Sequence, residues 1–251
     1  MQFDVEYEIE RQEHELEVQR ESYDSMPKIL FKYKAISSIN DLSRACDILQ
    51  NNRIYMPTYQ ELNDPLEGLN SKLLCIDENT REELRKKWQI LALSTDGLIP
   101  SLWAYYAGNY TGICIGFRTH TTFDDAKKVQ YVTKQESISW DVGLSLPDDL
   151  LKKSKDWASE KEWRIIRQTV SLKKCSDCSK FFTFKPEDIL CVFIGYKIDP
   201  IIVRTIQSIM AEKTKLFCVH PDNERYCLYA EDINTHMTYY DMNQLYTALE
   251  P

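Results

Sequence analysis

Glycine is scarce in this chain, at 7 of 251 residues, and the glycine-based nucleotide motifs are missing. No phosphate-cradling loop, dinucleotide-binding glycine run or Gly-x-Ser-x-Gly elbow occurs, which excludes the P-loop, Rossmann and α/β-hydrolase routes to activity. No His-Glu-x-x-His pair occurs either, and His120 and His220 have no matched partner, so neither is a persuasive catalytic base. No internal repeat or low-complexity tract is present. The first residues hold no cationic-then-apolar leader, and no apolar run approaches the length of a membrane span. A soluble, unexported, cytoplasmic protein with no membrane partner is therefore expected. In that setting the eight cysteines read as reduced residues. Cys175 and Cys178 form the one close pair and lack two further ligands at finger or ribbon spacing, so no metal is expected.

What is present is charge, unevenly placed. Residues 1–24 hold nine acids and two bases, which is −7 of the net −8, so the remainder of the chain is almost balanced. A balanced body neither demands nor excludes a nucleic-acid partner. The acidic segment alternates Phe3, Val5, Tyr7 and Ile9 with Asp4, Glu6, Glu8 and Glu10, a strand period rather than a helical one. It is expected to contact a partner or the protein's own cleft. The organisation is thus an acidic extension over residues 1–26 and one domain over 27–251.

The domain reads as α+β. Lys28–Tyr33 is a first strand, and Asn40 is placed to cap a helix carrying Leu42, Ala45, Cys46 and Leu49. Arg53–Met56 is a short strand, Leu62-Asn63-Asp64-Pro65 a turn, and Thr80 with Glu83 a capping box. Ile90–Ser94 is a strand, and Pro100 opens a helix through Ala107 that ends at Gly108. Thr111–Phe117 is apolar on both faces, with small residues at Cys114 and Gly116, and belongs in the middle of a sheet. Strands follow at Lys128–Val132, Glu160–Arg167, Lys180–Phe184 and Leu190–Tyr196. Asp199-Pro200 starts a helix with Ile202, Ile206, Ile209 and Met210 on one face. Lys215–Val219 and Tyr226–Ala230 are closing strands. The sheet is expected to be mixed or antiparallel, with flanking helices.

The densest chemistry lies in Ser159–Arg167. Extended backbone puts Glu160, Glu162 and Arg164 on one face, with the two carboxylates about 6–7 Å apart along the strand. Taken alone, that face reads first as an exposed set of cross-strand ion pairs, and Trp103, Tyr106 and Trp163 read first as core aromatics. Their company argues for a site.

Four segments carry a resemblance: Phe31-Lys32-Tyr33-Lys34, then Leu62-Asn63-Asp64-Pro65, then Leu102–Ala107 running into Gly112–Phe117, then Trp157 with Glu160–Arg164. In this order they resemble a widespread, mostly bacterial and phage family known as a domain of unknown function, over about residues 28–230. The family pattern has a KYR-like strand, an FNDP turn, a W-x-x-Y-A helix leading into G-x-C-I-x-F, and an E-x-E-W-R strand. This chain departs from it at Ala104-Tyr105 and Tyr110, where relatives often carry Ser-His and His, and at Leu62. Any proton transfer by those groups has no counterpart here. The layout is similar to that of ADP-ribosyltransferases, and this similarity implies NAD as substrate and a macromolecular acceptor, nucleic acid or protein. A toxin or anti-phage role suits the resemblance. On that layout Glu162 is the carboxylate that opposes an oxocarbenium-like charge, and Glu160 orients or deprotonates the acceptor. Lys32 or Arg164 meets the pyrophosphate, Tyr33, Trp103 or Tyr106 stacks on a ring, and Asn63 and Asp64 face the ligand. The rival expectations are a non-catalytic nucleotide-, nucleic-acid- or protein-binding module, and an interaction protein whose acidic segment mimics a polyanion.

Overall fold

A computed structural model describes residues 26–64, 79, 82, 86–133, 150–168 and 180–249. The acidic segment, the Thr80–Glu83 capping box and the Cys175/Cys178 pair lie outside the described residues. The strands are β1 (Ile29–Lys34), β2 (Arg53–Tyr55), β3 (Trp88–Ser94), β4 (Ile113–Arg118), β5 (Lys127–Lys128), β6 (Gln130–Val132), β7 (Lys152–Ser154), β8 (Glu162–Gln168), β9 (Phe181–Thr183), β10 (Ile189–Gly195), β11 (Lys215–Asp222), β12 (Cys227–Asp232) and β13 (Thr238–Tyr239). The helices are α1 (Ile39–Asn51), α2 (Pro100–Tyr105), α3 (Pro200–Ile209) and α4 (Met242–Leu249).

The expected α+β class holds. Nine strands form one sheet in the order β13-β12-β11-β10-β4-β1-β3-β8-β5. The sheet is mixed: β10 and β11 run parallel across the α3 crossover, and the other neighbours are antiparallel. Both faces are covered, which explains why the central strands are apolar without alternation. On one face Leu30, Leu93, Ile115 and Trp163 pack with Ile48 of α1, Ile206 of α3 and Phe182 of the β2–β9 ribbon. On the other, Phe31, Tyr33, Cys114 and Phe193 pack with Trp103 of α2 and Leu245 of α4.

Sequence chemistry explains most of the boundaries. Asp199 caps α3 through its side chain, with Pro200 in the first turn, where a missing N–H costs nothing. α1 begins earlier than expected: Ser38, not Asn40, is the cap, accepting from the Asp41 N–H at 3.2 Å. β4 is central, flanked by β1 and β10, as its small residues imply. A Cβ on Gly116 would stand 2.6 Å from Cys191 Sγ and 3.0 Å from the Phe31 ring, so this position admits only a hydrogen.

One expectation about the Glu-x-Glu segment is corrected. The strand begins at Glu162, not Glu160. Residues Lys155–Glu160 form a 3-10 turn, and Lys161 follows with φ of 49°, a left-handed backbone that ends the turn and starts β8. Glu160 therefore arrives from a turn rather than along a strand face.

The sheet has one thin seam. β1 meets β3 in a single register pair, Phe31 opposite Ser94, whereas β1 and β4 share six. Past that pair the Lys32 amine donates to the Ala92 carbonyl of β3 at 2.9 Å, standing where a backbone N–H would continue the ladder.

Candidate functional site

At this seam the chain makes a cleft of about 190 Å³. β1 contributes Phe31, Lys32 and Tyr33, β3 contributes Ala92–Ser94, and β8 contributes Glu162 and Arg164. α2 and its end supply Leu102 and Tyr106, the segment after β2 supplies Glu61–Asp64, and β7 supplies Lys153. Segments far apart in sequence thus converge: Lys32, Tyr33, Asn63, Asp64, Tyr106, Glu160, Glu162 and Arg164 all line one space.

The carboxylates are buried, with Glu160 6% and Glu162 4% exposed, so the reading of this segment as a solvated face does not hold. Arg164, 1% exposed, binds Glu162 with both arms of its fork: Nε to Oε1 at 2.7 Å and Nη2 to Oε2 at 3.0 Å. Its remaining terminal nitrogen donates to the Leu150 carbonyl at 2.6 Å. Register explains the pair, since Glu162 and Arg164 lie two apart on β8, opposite Ser94 and Ala92 of β3. Lys153 then bridges the two acids, donating to Glu162 Oε2 at 3.0 Å and to Glu160 Oε2 at 2.5 Å. Tyr106 donates to the other Glu160 oxygen at 2.9 Å. The Glu162 backbone N–H is held by the Tyr131 hydroxyl at 2.8 Å.

The electrostatics follow. Burial opposes charge on Glu162, but Arg164 and Lys153 outweigh it and hold the carboxyl below its usual range. This carboxylate stays ionised at any neutral pH. Burial, then the neighbouring Glu160 charge, pushes the Tyr106 phenol upward, and burial pushes Tyr131 to about 12, so both remain neutral phenols. Lys32 goes the other way: burial takes its ammonium from 10.5 down to about 8, although the Glu162 charge partly supports it.

One expected ligand-facing residue, Trp103, is placed outside the cleft, and two that line it, Arg164 and Tyr33, are engaged by protein partners. Trp103 is fully buried on the α2 side of the sheet. Its indole N–H donates to the Gly97 carbonyl at 2.8 Å, and its ring stacks on Tyr110 and meets Tyr33 edge-on. It shapes the wall behind the cleft and presents no face to a ligand. Arg164 lies in the cleft wall, but its committed fork leaves it to position Glu162 rather than to meet a pyrophosphate. Tyr33 is also pinned, donating to the Asp96 carbonyl at 2.8 Å. Asp64 is buried at the rim and Asn63 is exposed there.

Lys153 is the site residue that sequence reasoning missed. It lies in Leu151-Lys152-Lys153-Ser154-Lys155, where nothing separates one lysine from its neighbours, and only the fold selects it. Among the described residues no group of three His, Cys, Asp or Glu side chains is placed to hold a metal ion, and no helix is long and apolar enough to cross a membrane. No family model matches the chain, and comparison with curated proteins and with solved structures found no match.

Proposed function

We propose that the protein is an ADP-ribosyltransferase-like enzyme that takes NAD into this cleft and cleaves its nicotinamide–ribose bond, passing the ADP-ribosyl group to a macromolecule or to water. The observation that carries the reading is the convergence of two buried carboxylates, one held ionised, with a tyrosine hydroxyl and a lysine amine on one open cleft. Bond cleavage at the ribose anomeric carbon develops positive charge, and a carboxylate fixed in a water-poor site opposes it. Glu162 suits that part. Glu160, at the same ammonium but with a phenol on its second oxygen, suits orientation or deprotonation of the acceptor. Lys32 is the cation left for a pyrophosphate oxygen, and Leu102 and Tyr106 offer the apolar wall for a ring. The cleft volume falls below the roughly 300–1,000 Å³ usual for drug-sized ligands, so it suits one end of the dinucleotide, with the rest lying over the Glu61–Asp64 rim. The resemblance carried by the four sequence segments supports the same reading.

A second reading is favoured by one observation. Both Glu162 oxygens are already occupied by cations, as in a carboxylate that holds a wall together. On this reading the cleft binds a nucleotide or peptide without chemistry.

Calorimetric titration with NAD, paired with an assay of nicotinamide release, separates the two. The transferase reading expects micromolar-to-millimolar binding and turnover that falls about 10²–10³-fold in Glu162→Gln, in line with removal of one electrostatic stabiliser. Tyr106→Phe, which keeps every ion pair of the cluster and removes only the bond to Glu160, guards against a folding defect and is expected to lower turnover with little loss of binding. Binding without nicotinamide release supports the module. Absence of binding to a folded protein overturns the NAD assignment.

A further inference from the structure

Of the charged side chains lining the cleft, Lys32 stands apart. Arg164 and Lys153 neutralise Glu162, Lys153 and Tyr106 occupy Glu160, and Glu61 is turned to the Thr58 backbone N–H and the Tyr55 hydroxyl. Lys32 has one hydrogen bond, to the neutral Ala92 carbonyl, and among the described residues no carboxylate comes within salt-bridge distance of it. Lys32 lines the cleft and as a residue is half-buried rather than sealed. An amine without an ion-pair partner in a desolvated position on a cleft is the arrangement that turns lysine from a surface cation into a nucleophile.

We propose that Lys32 is a nucleophilic amine that forms an imine with small aldehydes or ketones admitted to this cleft. The step balances without any added reagent. The neutral nitrogen donates its lone pair to the carbonyl carbon and the C–O π pair moves to oxygen. A proton passes from nitrogen to that oxygen to give a carbinolamine. The hydroxyl then leaves as water while the nitrogen lone pair forms the C=N bond. Solvent reaching the open cleft carries the protons. The proposal does not rest on NAD cleavage, since it requires only the amine, its seat in the seam between β1 and β3 and access to it.

The surroundings set the pH range. Glu162 and, more weakly, Glu160 favour the ammonium, whereas burial and Lys34 on the same strand disfavour it, and burial dominates. Lys153 and Arg164 also face the cleft as cations, Asp64 and Glu61 as acids at the rim, and Tyr106 as a neutral phenol. An amine titrating at about 8 is half neutral at pH 8. A free lysine, at about 10.4, is then neutral at well under one part in a hundred, so Lys32 has roughly a hundredfold more reactive amine.

The test is reductive trapping. The full chain is incubated at pH 8 with limiting propanal and sodium cyanoborohydride, which converts the imine to a stable secondary amine, and peptides are quantified by mass spectrometry. Lys32 is expected to alkylate at least tenfold faster than exposed lysines such as Lys127 and Lys197, with its rate levelling off above about pH 8 while theirs keeps rising. Lys32→Arg keeps the charge, cannot form an imine and is expected to lose the fast phase alone. If that variant does not fold, the pH profile of the Lys32 peptide in the unaltered protein decides by itself. Labelling of Lys32 no faster than of the exposed lysines, or a rate that keeps rising beyond pH 9, would overturn the proposal.

Discussion

Replacing Arg164 by methionine is a direct test of the ion cluster, because the substitution keeps much of the side-chain bulk and removes only the fork. The arginine is 1% exposed and its Glu162 partner 5%, so solvent cannot take over the lost bonds. Glu162 keeps only its Lys153 contact, and the Leu150 carbonyl loses the donor that stood 2.6 Å away. Breaking a buried pair by removing one partner costs about 3–5 kcal/mol, because the survivor's charge remains desolvated. For a chain of this size that corresponds to a fall in Tm of roughly 6–20 °C. Urea unfolding followed through the buried Trp103 and Trp163 fluorescence is a suitable assay. The double variant Glu162→Gln/Arg164→Met removes the stranded charge as well and is expected to be more stable than Arg164→Met alone. The pH dependence has a definite sign. Since the folded protein holds the Glu162 carboxyl below its ordinary range, its stabilisation is fully present above about pH 4.3 and is lost as pH falls through the depressed value. The gap between unaltered protein and Arg164→Met should therefore narrow below about pH 4. A loss under about 1 kcal/mol at pH 7, the size of an exposed pair, would refute the reasoning, as would a double variant no better than the single one.

Two further substitutions probe the frame around the cleft. Gly116→Ala drives a methyl against Cys191 Sγ and the Phe31 ring in the middle of the sheet and is expected to cost about 1–3 kcal/mol, measured by chemical denaturation. Adding Cys191→Ala in the same chain should recover part of it. Trp103→Phe, which loses the bond to the Gly97 carbonyl and part of the stack on Tyr110, is expected to lower Tm while leaving the affinity of any cleft ligand within about twofold. A tenfold loss of affinity in a well-folded protein would return Trp103 to the binding surface.

Sheet composition was readable because it is a matter of local pattern. The small residues of Gly112–Phe117 point to a crowded central strand, and the Asp199-Pro200 step to a helix start, with no knowledge of the rest. The cleft was readable for a different reason. Lys32, Asn63, Tyr106 and Glu162 have no chemistry in common along the chain and come together only in the order of the segments that carry them. What escaped depended on backbone and on identical neighbours. Lys161 takes a left-handed conformation that nothing in Ser-Glu-Lys-Glu-Trp announces, so Glu160 passes for a strand residue. Ser38 and Asn40 are both good caps, and only tertiary packing of Ala45, Ile48 and Leu49 selects the start. Trp103 has the composition of a ligand platform and the environment of a core residue, a difference set by which face of α2 meets the sheet. The short helix α4 went unread although Met242, Leu245, Tyr246 and Leu249 stand at helical spacing.

The thin join between β1 and β3 has a mechanical consequence. On one side of it stand six strands, β1, β4 and β10 to β13, and on the other three, β3, β8 and β5, each set bonded continuously within itself. Strain applied across the sheet concentrates where the fewest backbone bonds cross, and here the crossing is reinforced by a lysine side chain, which can let go and re-form without unzipping a ladder. The cleft floor is laid along that line. A molecule lodged there touches both plates at once and acts as a rivet, so its arrival stiffens the whole sheet in the direction in which the bare fold is softest.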